Sequence, residues 1–393
     1  MPHISKRFSQ ISESKTVALN SVMAKMKREG KDVVGLGAGE PDFDTPDHIK
    51  KAAINAIEQG FTKYTPADGM FDLKTAIADW LLAERSIQYE PKQIVVTCGA
   101  KHAVYESIAA VCDPGDEVIL PAPYWVSYPE QIKLAQAEIK AVKTGPDNGL
   151  KITAKQLEKT ISSKTRLLIL NSPGNPSGAV YTKEELADIA DVIAESGVYV
   201  LSDEIYDQIV FDDMEYASMA DFHQQLGDQL IYINGVSKSF AMTGWRIGFL
   251  AAHADIATAI KKYQGHSTSN PSSISQKAAY AGYVEDKQFV KEMRKAFQER
   301  RDFVHDRLNA MPNVSCMLPK GAFYAFPDFS AYYGGSITSS LEFCAYLLEE
   351  HRAAIVPGVA FGMDAHARLS VATSMQNLEK ALERIETGLK ALA

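Results

Sequence analysis

The sequence predicts an α/β fold, with a mostly parallel central sheet in a large domain and a smaller α+β domain beside it. Three observations carry that expectation. Short apolar runs recur through the middle of the chain, segments with helical spacing separate them, and 393 residues exceed what one ordinary core holds. Alternating strand and helix is the pattern of βαβ units. A run that is apolar throughout, with no polar face, suits a strand covered by helices on both sides.

Up to about Asp44 the chain shows one segment of helical spacing, then GLGAGEPDFDTP, whose Gly, Pro and Asp residues place a loop at a boundary. The first buried strand is IVVTC at 94–98, followed by Gly99 and the helical KHAVYESIAAV at 101–111. EVILP at 117–121, RLLIL at 166–170 and VYVLS at 198–202 repeat the theme, with KEELADIADVIAES at 183–196 a helix between the last two. LIYIN at 230–234 and GFLAA at 248–252 close the series. From about residue 275 the character changes to long amphipathic helices, ISQKAAYAGYV and VKEMRKAFQERRDFVHDRL, and then to a compact stretch from Val314 to Ala393. The expected division is a large domain over 46–290 and a discontinuous small domain made from 1–45 and 291–393.

Composition narrows the function. The 46% hydrophobic and 23% charged residues belong to a globular chain with a large interior. A net charge of −8, from 49 acidic and 41 basic residues without blocks of one sign, argues against a nucleic-acid partner. Any anion must therefore be met by local cations or backbone N–H groups. Cys98, Cys112, Cys316 and Cys344 form no C-x-x-C pair and lack histidines at ligand spacing, so neither a disulfide framework nor a metal site is expected. No window approaches the roughly 18 apolar residues of a membrane span, and the N-terminus lacks the apolar core of a signal peptide. A reducing cytoplasm is the expected setting.

Open parallel sheets bind ligands at the carboxyl ends of their strands, and several runs end in unusual residues. After 94–98, Gly99-Ala100-Lys101 opens a helix whose free N–H groups suit a phosphate, although such a turn alone is ordinary. NSPGNPSG at 171–178 is a constrained loop that leaves Asn171 and Asn175 as donors, and Asn, Pro and Gly are also the common turn residues. Asp203 ends a strand, with Tyr206 three residues on; a carboxylate buried there needs a cation. GVSKSFAMTGWRIG at 235–248 holds Lys238 and Arg246. A lysine is ordinarily a solvated group, but in a cleft it can lose its proton and become a nucleophile, while arginine offers a fork for phosphate or carboxylate.

NSPGNPSG, SDEIY, SKSFAMTGWRIG and the late ARLSVATS, in that order and spacing, resemble the signature loops of the fold-type I aminotransferases. The likeness covers nearly the whole chain. GLGAGEPDFDTP, KYTPADG and PYWVSYP resemble the bacterial aspartate aminotransferase branch called subgroup Ib. The resemblance implies pyridoxal 5'-phosphate as cofactor, held by Lys238 as a Schiff base, with Lys238 also moving the substrate proton. It implies that Asp203 pairs with the pyridine nitrogen, that Tyr206 and Asn175 bond the ring oxygen, and that Trp125 stacks on the ring. The phosphate falls to the Ala100 and Lys101 backbone, Ser237, Arg246, and Tyr64 of a neighbouring subunit in a homodimer with shared sites. Arg368 grips the substrate α-carboxylate with help from Gly39, next to Trp125 and Asn175, and small-domain closure follows.

Reaction type and substrate separate here. A second arginine for the distal carboxylate is missing from QGHSTSNP around His266, which reads as a surface or interface histidine. Lys101 takes that role in subgroup Ib, with Ser14, Lys15 and Thr16 as further polar contacts. Transfer from L-aspartate to 2-oxoglutarate is the expected reaction. Aromatic or prephenate transamination and C–S lysis are the alternatives on the same scaffold. A nicotinamide dehydrogenase is excluded by the missing G-x-G-x-x-G turn.

Overall fold

The computed structural model describes residues 4–13 and 15–392, so the contacts expected of Ser14, Lys15 and Thr16 fall outside the described residues and side chains. In chain order the strands are β1 (Val34–Gly35), β2 (Ile94–Thr97), β3 (Glu117–Ala122), β4 (Glu138–Lys143), β5 (Thr165–Asn171), β6 (Tyr199–Asp203), β7 (Leu230–Gly235), β8 (Gly248–Ala251), β9 (Tyr324–Ala325), β10 (Ala353–Ala354), β11 (Val356–Pro357) and β12 (Ala367–Ser370). Seven of them form one sheet in the order β2-β8-β7-β6-β5-β3-β4. All its pairings are parallel except those of β8, which runs against both neighbours.

The apolar runs form this sheet because each buries both faces. Leu168 and Leu170 of β5 join one cluster with Ile119, Val200 and Tyr232, while Leu167 and Ile169 join another with Val118, Leu201, Ile231 and Leu250. Successive side chains point to opposite faces, so helices on both sides are required. Helix Lys183–Ser196 shows how they are delimited. Thr182 and Glu185 cap each other's backbone N–H groups, at 3.3 and 2.8 Å, and Gly197 ends the helix at φ 72°. β4 is not among the apolar runs. It is an edge strand with the charged sequence EIKAVK and little burial, and an edge needs no second apolar face.

The C-terminal part builds a separate cluster in which Val34 and Leu36 pack with Val304, Leu347, Ala353, Leu369 and Leu382. β1 pairs in parallel with β10, and Leu36 adds backbone bonds to Ala354 at 2.8 Å and from Ser370 at 2.7 Å. Residues 34–36 therefore cross to the far end of the sequence, and this places the loop after them beside β12. No helix among the described residues is long and apolar enough to cross a membrane.

Candidate active site

A cleft of about 520 Å³ opens at the carboxyl ends of the parallel strands. Gly39, Ala100, Lys101, Trp125, Asn175, Asp203, Tyr206, Ser237, Lys238, Arg246 and Arg368 all line it. Tyr64 does not; it stands 89% exposed on the loop before the helix Phe71–Arg85. His266 is exposed too.

Lys238 follows β7 and points into the cleft, where its Nζ donates to the Gly39 carbonyl at 2.5 Å. Enclosure by protein lowers its pKa to about 8, with Arg246 and Arg368 adding to the effect and Glu40 and Asp203 opposing it. Asp203, at the end of β6, is 4% exposed. Burial raises it to about 6, against a 2.8 Å bond from the Tyr128 hydroxyl and a 3.3 Å bond from the Ile205 N–H. Among the described residues it makes no ion pair and is the only carboxylate lining the cleft. Lys238 only partly offsets that burial, so a cationic group on a ligand would be stabilised beside Asp203.

The opposite imbalance holds at Arg368 on β12. This guanidinium is 2% exposed and has no carboxylate partner among the described residues. Its Nη1 donates to Asn175 Oδ1 at 2.9 Å and its Nη2 to the Gly37 carbonyl at 2.8 Å, while Nε has no acceptor. Tyr324 lies 4.5 Å beneath it, and burial lowers its pKa. Tyr206 bonds the Tyr324 hydroxyl at 2.8 Å.

At the other end of the cleft, Gly99 takes φ +90°, and a Cβ there would sit 2.2 Å from Arg246 Nη2. Only glycine lets the guanidinium come this close to the start of helix Ala100–Val111, whose first N–H groups have no partner within the helix. Arg246 itself sits at φ 57°, held by bonds to the Thr243 carbonyl at 2.9 Å and the Cys98 carbonyl at 3.2 Å. Lys101 reaches 4.9 Å over the Trp125 ring, its pKa lowered by burial and by Arg246.

These observations fit pyridoxal phosphate. A helix N-terminus and Arg246 offer an anion seat, Lys238 an amine, Asp203 a buried charge only partly offset, and Arg368 an unused donor for a second anion. Sequence reading missed two further residues that line the cleft, Tyr128 and Tyr324. Tyr128 lies inside PYWVSYP, but its part in holding Asp203 depends on the fold, and nothing in the local sequence singles out Tyr324.

The sheet order and cleft define a fold-type I pyridoxal-phosphate enzyme. The chain belongs to the class I and II aminotransferases, whose family model matches residues 31–385. The aspartate aminotransferase of Bacillus subtilis is 44% identical over 98% of this chain and 98% of its own. The aspartate/prephenate aminotransferase of Nitrosomonas europaea is 43% identical over 97% and 98%. Among solved structures, the aspartate aminotransferase of Rhizobium meliloti superposes with a TM-score of 0.96 at 40% identity, covering 99% of both chains. That of Thermus thermophilus with maleate gives 0.94 at 38%, covering 99% and 100%.

Proposed function

We propose that this chain moves the amino group of L-aspartate to 2-oxoglutarate, giving oxaloacetate and L-glutamate. The observation that carries the reading is Arg368, a buried guanidinium with an unused N–H and no anion of its own, in the same cleft as Lys238 and Asp203. A buried cation without a partner is costly unless a ligand supplies the charge, and an amino-acid carboxylate fits the fork. Relatives named for aspartate agree with the acidic donor.

Bound pyridoxal phosphate supplies the electron sink that accepts the charge left when a substrate Cα–H bond breaks. The chain's own residues do the rest. Lys238, with a pKa near 8, is partly neutral close to neutral pH and takes and returns the proton at Cα. Asp203 holds the proton on the ring nitrogen, and Tyr128 holds Asp203. Asn175 and Tyr206 would donate to the ring oxygen, Trp125 would cover the ring, and the Ala100 and Lys101 backbone, Ser237 and Arg246 would hold the phosphate. Lys101 takes the distal carboxylate of aspartate. Tyr64, turned away from its own cleft, reaches the phosphate in a neighbouring copy, so the working unit is a homodimer. Domains 46–290 and 1–45 with 291–393 close over the substrate, the second carrying Gly39 and Arg368. Four free cysteines suit a cytoplasmic setting. Relatives named for both aspartate and prephenate favour prephenate as a second amino acceptor.

The test is the visible absorption of the purified protein before and after L-aspartate, without an oxo-acid. A band that moves to shorter wavelength is expected. An unmoved band removes aspartate as donor, and no band even with added cofactor overturns the reading.

A further inference from the structure

Directly after Asp203, Glu204 is 1% exposed and makes no ion pair among the described residues. Its Oε1 accepts from Ser202 Oγ and Ser218 Oγ, each at 2.8 Å, and from the Met219 N–H at 3.2 Å. Ser218 can give its hydrogen there because its own oxygen accepts from the Ala220 N–H at 3.0 Å. Oε2 lies 2.8 Å from the Tyr216 hydroxyl, and that hydroxyl lies 2.8 Å from the Ser172 carbonyl oxygen as well. A carbonyl has no hydrogen to give, and a tyrosine hydroxyl has one. Two well-formed contacts in a row need two hydrogens.

We infer that Glu204 is a protonated positioning residue, which donates to Tyr216 so that Tyr216 donates to the Ser172 carbonyl and fixes the loop presenting Asn175. Ser172 opens that loop, and its N–H bonds the Asp203 carbonyl at 3.3 Å. One proton therefore ties together the strand ends that carry Asn175 and Asp203. If Glu204 were ionised, Tyr216 would turn its hydrogen to the carboxylate and leave a carbonyl without a donor.

The surroundings agree. Arg85, from helix Phe71–Arg85, lies 4.5 Å over the Tyr216 ring but is paired with Asp207 at 2.8 Å. Tyr89 and Tyr232 are the other titratable groups facing Glu204, both raised by burial, and Asp203 precedes it in the chain. Burial raises the Glu204 carboxyl to about 7, against the bonds from Ser218 and Ser202, the charge of Arg85 and the contact with Tyr216. Because this value is raised, the native state keeps a proton that the unfolded chain has already lost. The resulting stability is complete below the ordinary glutamate range and fades as pH climbs through about 7.

The proton assignment stands apart from the proposed reaction, and only its effect on Asn175 rests on that reading. The experiment compares infrared spectra of wild-type and Glu204→Gln holoenzyme below about pH 6. A protonated-carboxyl stretch is expected in the wild-type-minus-variant difference spectrum, where the signal of Glu106, also raised by burial, cancels, and it should leave that difference above about pH 8. Gln keeps a donor facing Tyr216, so cofactor retention and the pH titration of the visible band should match the wild type below the Glu204 transition. Glu204→Met has no donor, and we expect cofactor retention to weaken by at least about tenfold and the pH titration of the visible band to shift; Tyr216→Phe should shift that titration in the same direction. An unchanged carboxyl stretch in Glu204→Gln overturns the proton. Loss of that stretch, with the visible band unmoved in both Glu204→Met and Tyr216→Phe, overturns the link to Asn175.

Discussion

Replacing Arg368 by lysine keeps the charge and removes the fork. In the structure Nη1 and Nη2 each give one hydrogen to Asn175 and Gly37, at 2.9 and 2.8 Å, which leaves Nε–H and the second hydrogens for a ligand. A lysine ammonium has a single nitrogen. It cannot hold Asn175, Gly37 and both oxygens of a carboxylate in one plane, so at least one charge-assisted bond to the substrate is lost. Such a bond is worth about 1.5–3 kcal/mol, or roughly ten- to 150-fold in kcat/KM. The assay is single-turnover decay of the visible cofactor band on mixing with L-aspartate. The expected result is a normal starting band and a decay whose second-order rate constant falls in that range. A decay indistinguishable from wild type refutes the carboxylate role. Loss of the starting band shows that Arg368 holds the cofactor instead.

Lys238→Ala should still take up cofactor, now non-covalently, so borohydride no longer couples it to the chain; transamination should fall by at least about 10²-fold, the usual contribution of a positioned base. Lys101→Ser should lower kcat/KM for L-aspartate about tenfold and leave a neutral amino donor unchanged, read by comparing the two donors in one coupled assay. Glu106 is 2% exposed with neither oxygen hydrogen-bonded. His102 Nε2 lies 3.3 Å away, and burial lowers that histidine's own pKa. Burial raises Glu106 to about 8, so its contribution to stability is lost as pH rises from the ordinary glutamate range through that value. Glu106→Gln should therefore raise the Tm above pH ~8 and flatten its fall with pH, since every pH unit separating the folded and unfolded pKa carries about 1.4 kcal/mol.

The parts of the fold legible in sequence were those whose burial leaves a one-dimensional trace. Ile94–Thr97, Glu117–Ala122, Thr165–Asn171, Tyr199–Asp203 and Leu230–Gly235 lie between two layers and are written as apolar runs. Glu138–Lys143 lies at an edge and is written as charges, and the two-residue strands around Val34 and Ala353 exist only through each other. The reversed direction of Gly248–Ala251 was also beyond a periodicity argument, because a buried strand reads the same whichever way it runs. Site loops were legible because glycines, prolines and a lysine cluster at strand ends. Tyr128, Tyr324 and Glu204 were not singled out, because each works through a partner distant in sequence or through hydrogens that only the folded arrangement assigns.

The reversed strand has a mechanical consequence. Gly235 and Gly248 face each other across β7 and β8, and a Cβ on Gly235 would come within 2.8 Å of the Gly248 Cα. On its other side Gly248 leaves no clearance, since a Cβ there would fall 2.2 Å from the Ala100 nitrogen. The excursion bearing Lys238 and Arg246 thus starts and returns through a neck with no room for a side chain, wedged against the helix end that completes the anion seat. Amine, guanidinium and helix are thereby held in one bracket, where a side chain larger than glycine's at either position would push them apart.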